Sequence, residues 1–408
     1  MKVCVDVNGV EKGRMDTIYN YEFNIPEYVR VVLDRLHSYG ERAYIVGGSL
    51  RDMLLSQKPH DFDLASSAEP LRVCEIFSDM HVIKTGLAHG TVTVMSKGNP
   101  IEITTFRVDG EYRDMRRPES VIFTRRIEDD LSRRDFTVNA MAYNETDGLI
   151  DLFCGKEDLE NKVIRTVGDP YERFSEDALR IMRAFRFSAQ LGFEIENKTL
   201  EAAGALAERL SLIAKERIFS ELIKLICSPF AQKPLEQMRS FGVLSYVLND
   251  YIPSDRVIKL LPLLERDEMM RISAFFCDTD GDIARRELVT LKASGRQRSA
   301  SLIVDASKRK YSTREDIARL RARFSDDAYF VLKLSVMLGY SDSASLDLLS
   351  DGTPYSISQL AIGGNDLIAL GYSGREIGKT LSFLLDEVIK DPSINSKEKL
   401  VDKLKNKN

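Results

Sequence analysis

The sequence predicts an α+β fold, in which an N-terminal domain built around a small sheet is followed by an all-helical remainder. Short β-branched runs with partial alternation, typical of an antiparallel or mixed sheet, are confined to the first third of the chain. These runs are AYIVGG (43–48), HDFDLAS (60–66), TVTVMS (91–96), IEITTFR (101–107) and VIFTRR (121–126). From residue 156 to residue 406, nearly every segment instead follows the 3.6-residue period of an amphipathic helix.

The N-terminal domain also contains helical patterns between its strands. Residues 26–39 carry apolar side chains at helical spacing, namely Val29, Val32, Leu33 and Leu36. Residues 49–56 and 70–80 are likewise expected to be helical. With 43% hydrophobic residues over 408 positions, the chain has enough apolar material for a packed core throughout.

Composition and charge restrict how the protein can bind RNA, membranes and metals. The 58 basic and 63 acidic residues give a net charge of −5, so any contact with RNA must come from local basic patches. The five cysteines are scattered and there is no long apolar run or signal-peptide pattern, so we expect a cytoplasmic protein that is not bound to a membrane. None of the four histidines follows His89, which excludes a histidine-based metal site in the C-terminal half.

The first candidate site is the pair of carboxylates Asp61 and Asp63. On a strand, residues two apart share a face, so these side chains should project together while Phe62 and Leu64 point into the core. Two such carboxylates repel each other unless a cation binds between them, and Mg²⁺ prefers oxygen ligands. Taken alone, a solvated strand end is the commoner explanation of this pattern.

The segment before the carboxylates adds more specific evidence for a nucleotide-binding site. Gly47-Gly48-Ser49 follows an apolar strand and opens a helix, so its backbone N–H groups are suited to a phosphate. Arg51 lies close enough along the chain to reach the same anion. A phosphate-binding turn followed within a few residues by a metal-binding carboxylate pair is a much narrower pattern than either feature alone.

Two further motifs combine arginines with acids. In RRDFTVNA (133–140), Arg134 is suited to holding a phosphate, and Asp135 and Asn139 are suited to ribose hydroxyls. The alternative explanation is a surface arginine pair beside a helix cap. Arg134 is preferred to Arg133 as the nucleotide contact.

In SEDALRIMRAFRF (175–187), we expect a helix capped by Ser175, with Ala178, Ile181, Met182 and Phe185 on its buried face. The other side would carry charged groups at every third residue, and a solvated face with ion pairs is the alternative explanation for it. These groups are Asp177, Arg180, Arg183 and Arg186.

Together these motifs resemble the signatures of the class II tRNA nucleotidyltransferase and poly(A) polymerase family, within the polymerase-β superfamily. GGSLRDMLLSQKPHDFDLA matches the catalytic signature, RRDFTVNA the ribose motif and EDALR the base-recognition motif. The resemblance covers residues 26–195 and partly returns at 362–389. It implies a polymerase-β-like nucleotidyltransferase head followed by an all-α neck, body and tail.

The resemblance also implies roles for individual residues. Asp61 and Asp63 would bind Mg²⁺, and Glu102, on a strand expected to lie beside them, is the candidate third carboxylate and general base. Asp177 and Arg180 would select the base, because a carboxylate and a guanidinium match the amino group and ring nitrogen that cytosine and adenine share. The triphosphate would be held by a further set: Gly48, Arg51, Arg134, Arg183 and Arg186.

The implied function is template-independent addition of C, C and A from CTP and ATP to the 3′ end of tRNA, with release of pyrophosphate. The alternatives are a CC-adding enzyme, an A-adding enzyme, a poly(A) polymerase and an inactive RNA-binding relative. A full-length polar loop at 108–120 and the NAMAYN segment favour complete CCA addition to tRNA. The expected divisions are a leader of unknown role (1–25), head (26–145), nucleotide-selecting neck (146–210), body (211–335) and tRNA-binding tail (336–408).

Overall fold

The computed structural model describes residues 23–109 and 121–405, together with the short backbone segments Cys4–Val5 and Glu11–Lys12. The chain divides into two compact units, Met1–Ile252 and Pro253–Asn408. Most of the predicted leader and residues 110–120 of the predicted polar loop lie outside the described residues.

The strands of the described residues all lie in the first unit. They are β1 (Cys4–Val5), β2 (Glu11–Lys12), β3 (Ala43–Val46), β4 (Asp63–Ser66), β5 (Val82–Ile83), β6 (Thr91–Ser96), β7 (Asn99–Thr105), β8 (Arg107–Asp109), β9 (Val121–Phe123), β10 (Met141–Asn144), β11 (Gly148–Asp151), β12 (Val163–Ile164) and β13 (Glu194–Ile195).

One mixed sheet dominates the first unit, with the strand order β11-β10-β3-β4-β7-β6-β5. Neighbouring strands are antiparallel except for β4 and β7, which run parallel with Asp63 opposite Glu102. The predicted small antiparallel or mixed sheet is therefore confirmed as a mixed one. Strand β4 begins only at Asp63, so the expected strand over 60–66 is too long and Asp61 precedes it.

Helices surround this sheet and follow it in the first unit. They are α1 (Glu27–Ser38), α2 (Gly47–Leu54), α3 (Pro70–Ile76), α4 (Ile127–Ser132), α5 (Gly155–Glu160), α6 (Pro170–Glu176), α7 (Leu179–Leu191), α8 (Asn197–Ala205), α9 (Lys215–Ile226), α10 (Gln232–Ser240) and α11 (Leu244–Val247). Helix α1 buries the four apolar residues that its spacing predicts.

The second unit is helical over its described residues. Its helices are α12 (Asp255–Leu260), α13 (Glu268–Phe275), α14 (Gly281–Thr290), α15 (Gly295–Arg298), α16 (Ala300–Ser307), α17 (Arg314–Phe324), α18 (Ala328–Met337), α19 (Gly364–Ala369), α20 (Arg375–Lys390) and α21 (Lys397–Lys405). Over the described parts of both units, none of the helices is both long and apolar enough to cross a membrane.

Each unit has its own apolar core. In the first unit, Tyr44 and Val46 of β3 pack with Phe106 and with Leu131 of α4. In the second, Leu381, Leu384 and Val388 of α20 belong to a cluster that also takes in residues of α19 and α21. The core of the first unit packs against β3, and the candidate site begins at the end of that strand.

Candidate functional site

A cavity of about 570 Å³ in the first unit is lined by every predicted site residue except Asp61. Its walls come from the ends of β3, β4 and β7, from the start of α2, and from α7 and α9. The predicted residues that line it are Gly48, Arg51, Asp63, Glu102, Arg134, Asp177, Arg180, Arg183 and Arg186. Residues separated by up to 138 positions in the sequence thus meet in one place.

The turn from β3 into α2 forms one wall of this cavity. Helix α2 begins at Gly47, two residues earlier than expected, and Gly47 has a φ of +67°, which favours glycine. A Cβ at Gly47 would lie 3.3 Å from Nη1 of Arg134 and 3.9 Å from Oδ2 of Asp63. The turn therefore brings a helix N-terminus, a guanidinium and a carboxylate together, as the Gly-Gly-Ser pattern predicts.

Two carboxylates, those of Asp63 on β4 and Glu102 on β7, line the cavity, and Asp61 precedes β4. Asp63 is half-buried, whereas Glu102 and Asp61 are exposed. Burial, with the charges of Glu102 and Asp61, raises the pKa of Asp63 to about 6. Over the described ranges, acidic, histidine and cysteine side chains form no group of three or more that could hold a metal alone. Oxygen donors under mutual repulsion suit a hard divalent cation that takes further ligands from phosphates and water.

Arg51 and Arg134 are both held in place by neighbouring side chains. Arg51 is buried, and its Nη1 donates to Oδ1 of Asn139 at 2.8 Å while its Nη2 donates to Asp52 at 2.7 Å. Arg134 pairs with the fully buried Asp130 at 3.0 Å. Burial alone would raise the pKa of Asp130, but Arg134 and the neighbouring arginine, Arg133, hold that pKa below its ordinary value.

The arginines of α7 also have acidic partners. Arg183 donates from Nε to Oδ2 of Asp135 at 2.6 Å, and Arg186 donates from Nε to Oε2 of Glu221 at 2.5 Å. Burial would raise the pKa of Asp135, yet Arg183 and Arg180 lower it. The acid keeps its charge inside the protein for this reason. Asp135 and Asn139, expected at the ribose, thus contact arginines in this structure.

Phe187 is an apolar element among these cations. The guanidinium carbon of Arg186 lies 3.8 Å from its ring centroid, and those of Arg183 and Arg51 lie 5.3 Å and 5.4 Å away. Cations near an aromatic face are attracted by the ring quadrupole. Phe187 therefore orients positive groups from two helices, α2 and α7, toward a common region.

The base-recognition motif adopts a different conformation from the predicted one. Ser175 and Glu176 end α6, and α7 starts at Leu179, so Asp177 lies in a break between helices and not in a first helical turn. Helix α6 begins at Pro170 with Asp169 as its N-cap, and it extends through Ser175 and Glu176. The buried face of α7 is as predicted, with Ala178, Ile181, Met182 and Phe185 fully buried.

Asp177 and Arg180 nevertheless both line the cavity. Oδ1 of Asp177 accepts the backbone N–H of Leu179 at 3.0 Å. Arg180 is buried, and it donates to Glu176 at 2.5 Å and to the carbonyl oxygen of Arg133 at 3.1 Å. The alternative explanation, a solvated charged face, does not hold for Arg180 and Arg186, which are each 8% exposed.

Sequence reasoning missed several lining residues. Arg217 and Phe187 are the most important, because each organises charged neighbours. Arg217 belongs to α9, whose alternation of charged and apolar residues is that of any surface helix. Only the packing of α9 against α7 reveals the position of Arg217. Phe187 could have been predicted, because it lies inside the SEDALRIMRAFRF motif beside Arg183 and Arg186.

Comparison with known proteins adds to this geometry. Residues 43–165 match the family model of the poly A polymerase head domain. Residues 192–253 match the model described as the probable RNA and SrmB- binding site of polymerase A.

Individual relatives agree with these matches. A CCA-adding enzyme of Pediococcus pentosaceus is 38% identical over 380 residues, which are 90% of this chain and 94% of the relative. That of Streptococcus gordonii is 48% identical over 216 residues, so the alignment spans 53% of this chain and about half (54%) of that relative. The crystal structure of the Bacillus stearothermophilus CCA-adding enzyme in complex with CTP superimposes with a TM-score of 0.77 at 28% identity, covering 94% of this chain and 99% of that one.

Proposed function

The chain belongs to the family of CCA-adding enzymes and is a nucleotidyltransferase, and from this premise we propose that it adds C, C and A to the 3′ end of tRNA. Its substrates would be CTP, ATP and a tRNA acceptor end, with no nucleic-acid template. The observation that carries the proposal is one cavity whose lining includes the carboxylates of Asp63 and Glu102, the phosphate-binding turn and the Asp177–Arg180 motif.

Enzymes of this family need a divalent metal, and we propose that it is Mg²⁺ here. Asp63, with Asp61 just before its strand, would hold the metal. When bound, such ions stabilise the attacking and leaving oxygens of a phosphoryl displacement. The raised pKa of Asp63 supports this site, because a cation would relieve the repulsion from Glu102 and Asp61.

The nucleotide triphosphate would lie along the cationic wall. Backbone N–H groups at Gly48 and the guanidinium groups of Arg51, Arg134, Arg183 and Arg186 supply the contacts. The closeness of Arg134 to the Gly47 turn favours it over Arg133 as the phosphate contact. Since each of these arginines already has a hydrogen-bonding partner, the wall is organised before a nucleotide arrives.

The base would be selected by Asp177 and Arg180. The carboxylate of Asp177 accepts from the exocyclic amino group of cytosine or adenine, and an N–H of Arg180 donates to the adjacent ring nitrogen. Uracil and guanine present a carbonyl oxygen and a ring N–H at these positions, so both contacts fail. A protein surface thus replaces the template base.

In the reaction, the 3′ hydroxyl oxygen of the tRNA attacks the α-phosphorus of the bound nucleotide. The bond from that phosphorus to the β-phosphate oxygen breaks, and pyrophosphate leaves with the bonding electron pair. The hydroxyl proton passes to a general base, for which Glu102 is the candidate because β4 and β7 place it directly beside Asp63.

The decisive experiment supplies tRNA lacking its CCA end with each labelled nucleoside triphosphate alone, and then with CTP and ATP together. We expect two residues of C from CTP alone, and CCA only from the mixture. Addition of C alone in the mixture would identify a CC-adding enzyme. A second substrate, tRNA that already ends in CC, is tested in the same way. Addition of A to that substrate, with no addition to tRNA lacking CCA, would identify an A-adding enzyme, and a long A tail a poly(A) polymerase.

No incorporation under any condition would indicate an inactive RNA-binding relative.

We further propose a cytoplasmic location, where the free thiols Cys74, Cys154, Cys227 and Cys277 would stay reduced. The division into head, neck, body and tail at residues 145, 210 and 335 is also a proposal.

A further inference from the structure

Arg217 contacts the carboxylate of Asp177 from a separate helix. Its Nη2 donates to Oδ2 of Asp177 at 3.2 Å, while Oδ1 of the same carboxylate accepts the N–H of Leu179 at 3.0 Å. Both oxygens of Asp177 are therefore fixed, one by α7 and the other by α9. Each oxygen keeps a second lone pair for another donor.

Asp177 needs such support because of where it lies. It follows the last residue of α6 and has an extended backbone, φ −140° and ψ 103°, and its N–H makes only a 3.4 Å bond to the carbonyl oxygen of Arg173. A side chain at a helix break is not oriented by helical packing on either side. A carboxylate that must discriminate between two base edges requires a fixed orientation, which its neighbours have to provide.

Arg217 also lines the cavity that Asp177 lines. Within the described residues, its other terminal nitrogen, Nη1, is buried and has no hydrogen-bond partner. The guanidinium is therefore held at this place by its ion pair with Asp177 and not by a contact through Nη1.

We propose that Arg217 is a positioning residue for nucleotide selection, acting through Asp177. It holds one carboxylate oxygen so that Asp177 presents a lone pair to the amino group of cytosine or adenine. The proposal rests on the proposed function, in which Asp177 selects the base. The competing explanation is that the Arg217–Asp177 pair only joins α9 to the junction of α6 and α7.

Selectivity separates the two explanations, since an ion pair that only joins helices changes stability and not the choice of base. The measured quantity is the ratio of kcat/KM for CTP to that for UTP. It is determined for the full chain and for Arg217→Met, Asp177→Ala and the double variant, with a thermal melt of each. Lys224→Met, an exposed cation on the same helix, is the matched control.

We expect Arg217→Met to lower the CTP-to-UTP ratio about tenfold, the scale of one lost hydrogen bond to a charged group. Asp177→Ala should lower the ratio at least as much. In the Asp177→Ala background, Arg217→Met should change the ratio no further, because its effect passes through the missing carboxylate. Lys224→Met should leave the ratio at the wild-type value.

A lowered melting temperature with an unchanged ratio in Arg217→Met would overturn the proposal, as would equal effects of Arg217→Met with and without Asp177. If Asp177→Ala itself leaves the ratio unchanged, base selection by Asp177 is wrong and the fault lies in the proposed function. If Arg217→Met does not fold, Arg217→Gln removes the charge while keeping a polar side chain. A wild-type ratio in that variant would then refute the inference.

Discussion

Asp63 combines a half-buried position, a raised pKa and a place directly opposite Glu102 across two parallel strands. Asp61, its proposed partner, is exposed and precedes the strand. The two acids thus differ in environment although the sequence makes them look equivalent. Removal of Asp63 should be the more damaging change, because its carboxylate is the one inside the cavity.

For Asp63→Asn we expect the rate of nucleotide addition with Mg²⁺ to fall at least about 10²–10³-fold, the scale of losing one preorganised electrostatic group. Affinity for tRNA should stay within about twofold, since no charge that faces RNA phosphate is removed. Single-turnover addition and filter binding measure the two quantities. Asp34→Asn, on the exposed face of α1, is the matched control, and substantial activity in Asp63→Asn would contradict the metal assignment.

Residue types and spacing predicted nine of the residues that line the cavity, because a strand, a tight turn and acidic pairs have local signatures. Asp130 lies four residues before its partner Arg134, at a spacing typical of an ion pair within a helix. Asp135 and Glu221 are 48 and 35 residues away from the arginines that contact them, so only tertiary packing reveals those pairs. Arg217 was missed for the same reason.

At the scale of elements, the turn between β3 and α2 is the tightest constraint on the site. Gly47 has a φ of +67°, and any Cβ there would approach Arg134 at 3.3 Å. Gly40, after α1, has a similar φ of +79° but nothing within 4 Å of a Cβ. Substitutions at the two glycines can therefore separate the effect of backbone strain from the effect of crowding at the site.

We expect Gly47→Ala and Gly40→Ala to lose similar stability, roughly 1–2 kcal/mol, from left-handed backbone strain. Only Gly47→Ala should also lower kcat/KM for CTP, by about tenfold or more, because its methyl group displaces Arg134. Urea unfolding and steady-state kinetics test both statements. Equal activities for the two variants would show that the turn has no role in nucleotide binding.

Element boundaries were harder to predict than element existence. The apolar run at 43–46 and the alternation at 91–96 both correspond to strands of the structure. Strand β11, beyond residue 145, and the helix break at Asp177 were not predicted. Strand β11 is four residues long and pairs with the neighbouring β10, and the break at Asp177 follows helix α6, which begins at Pro170. Neither feature shows as an apolar periodicity in the sequence.

For the whole molecule, every residue that lines the cavity lies between Val46 and Arg217, within the first unit. The predicted neck ends at residue 210, just short of Arg217, so a shortened chain should end at Ile252 to keep α9. Such a chain retains all but the last residue of the segment 192–253, which matches the RNA-binding family model.

We expect a chain of residues 1–252 to bind CTP within about threefold of the full chain and to bind tRNA at least about tenfold more weakly. Some affinity for tRNA should survive through residues 192–252. In the full chain, tRNA affinity should fall as salt rises, since phosphate contacts release counterions. Undiminished tRNA affinity in the shortened chain would refute a role for the second unit in holding RNA.

The arginine–acid pairs of the cavity have a consequence for how this family changes over evolutionary time. Replacing one member of a pair leaves a buried charge alone, which is strongly destabilising, whereas replacing both together is far better tolerated. Asp135 and Arg183, and Glu221 and Arg186, should therefore be inherited as coupled positions. Across homologues, the second member of each pair should differ wherever the first one does.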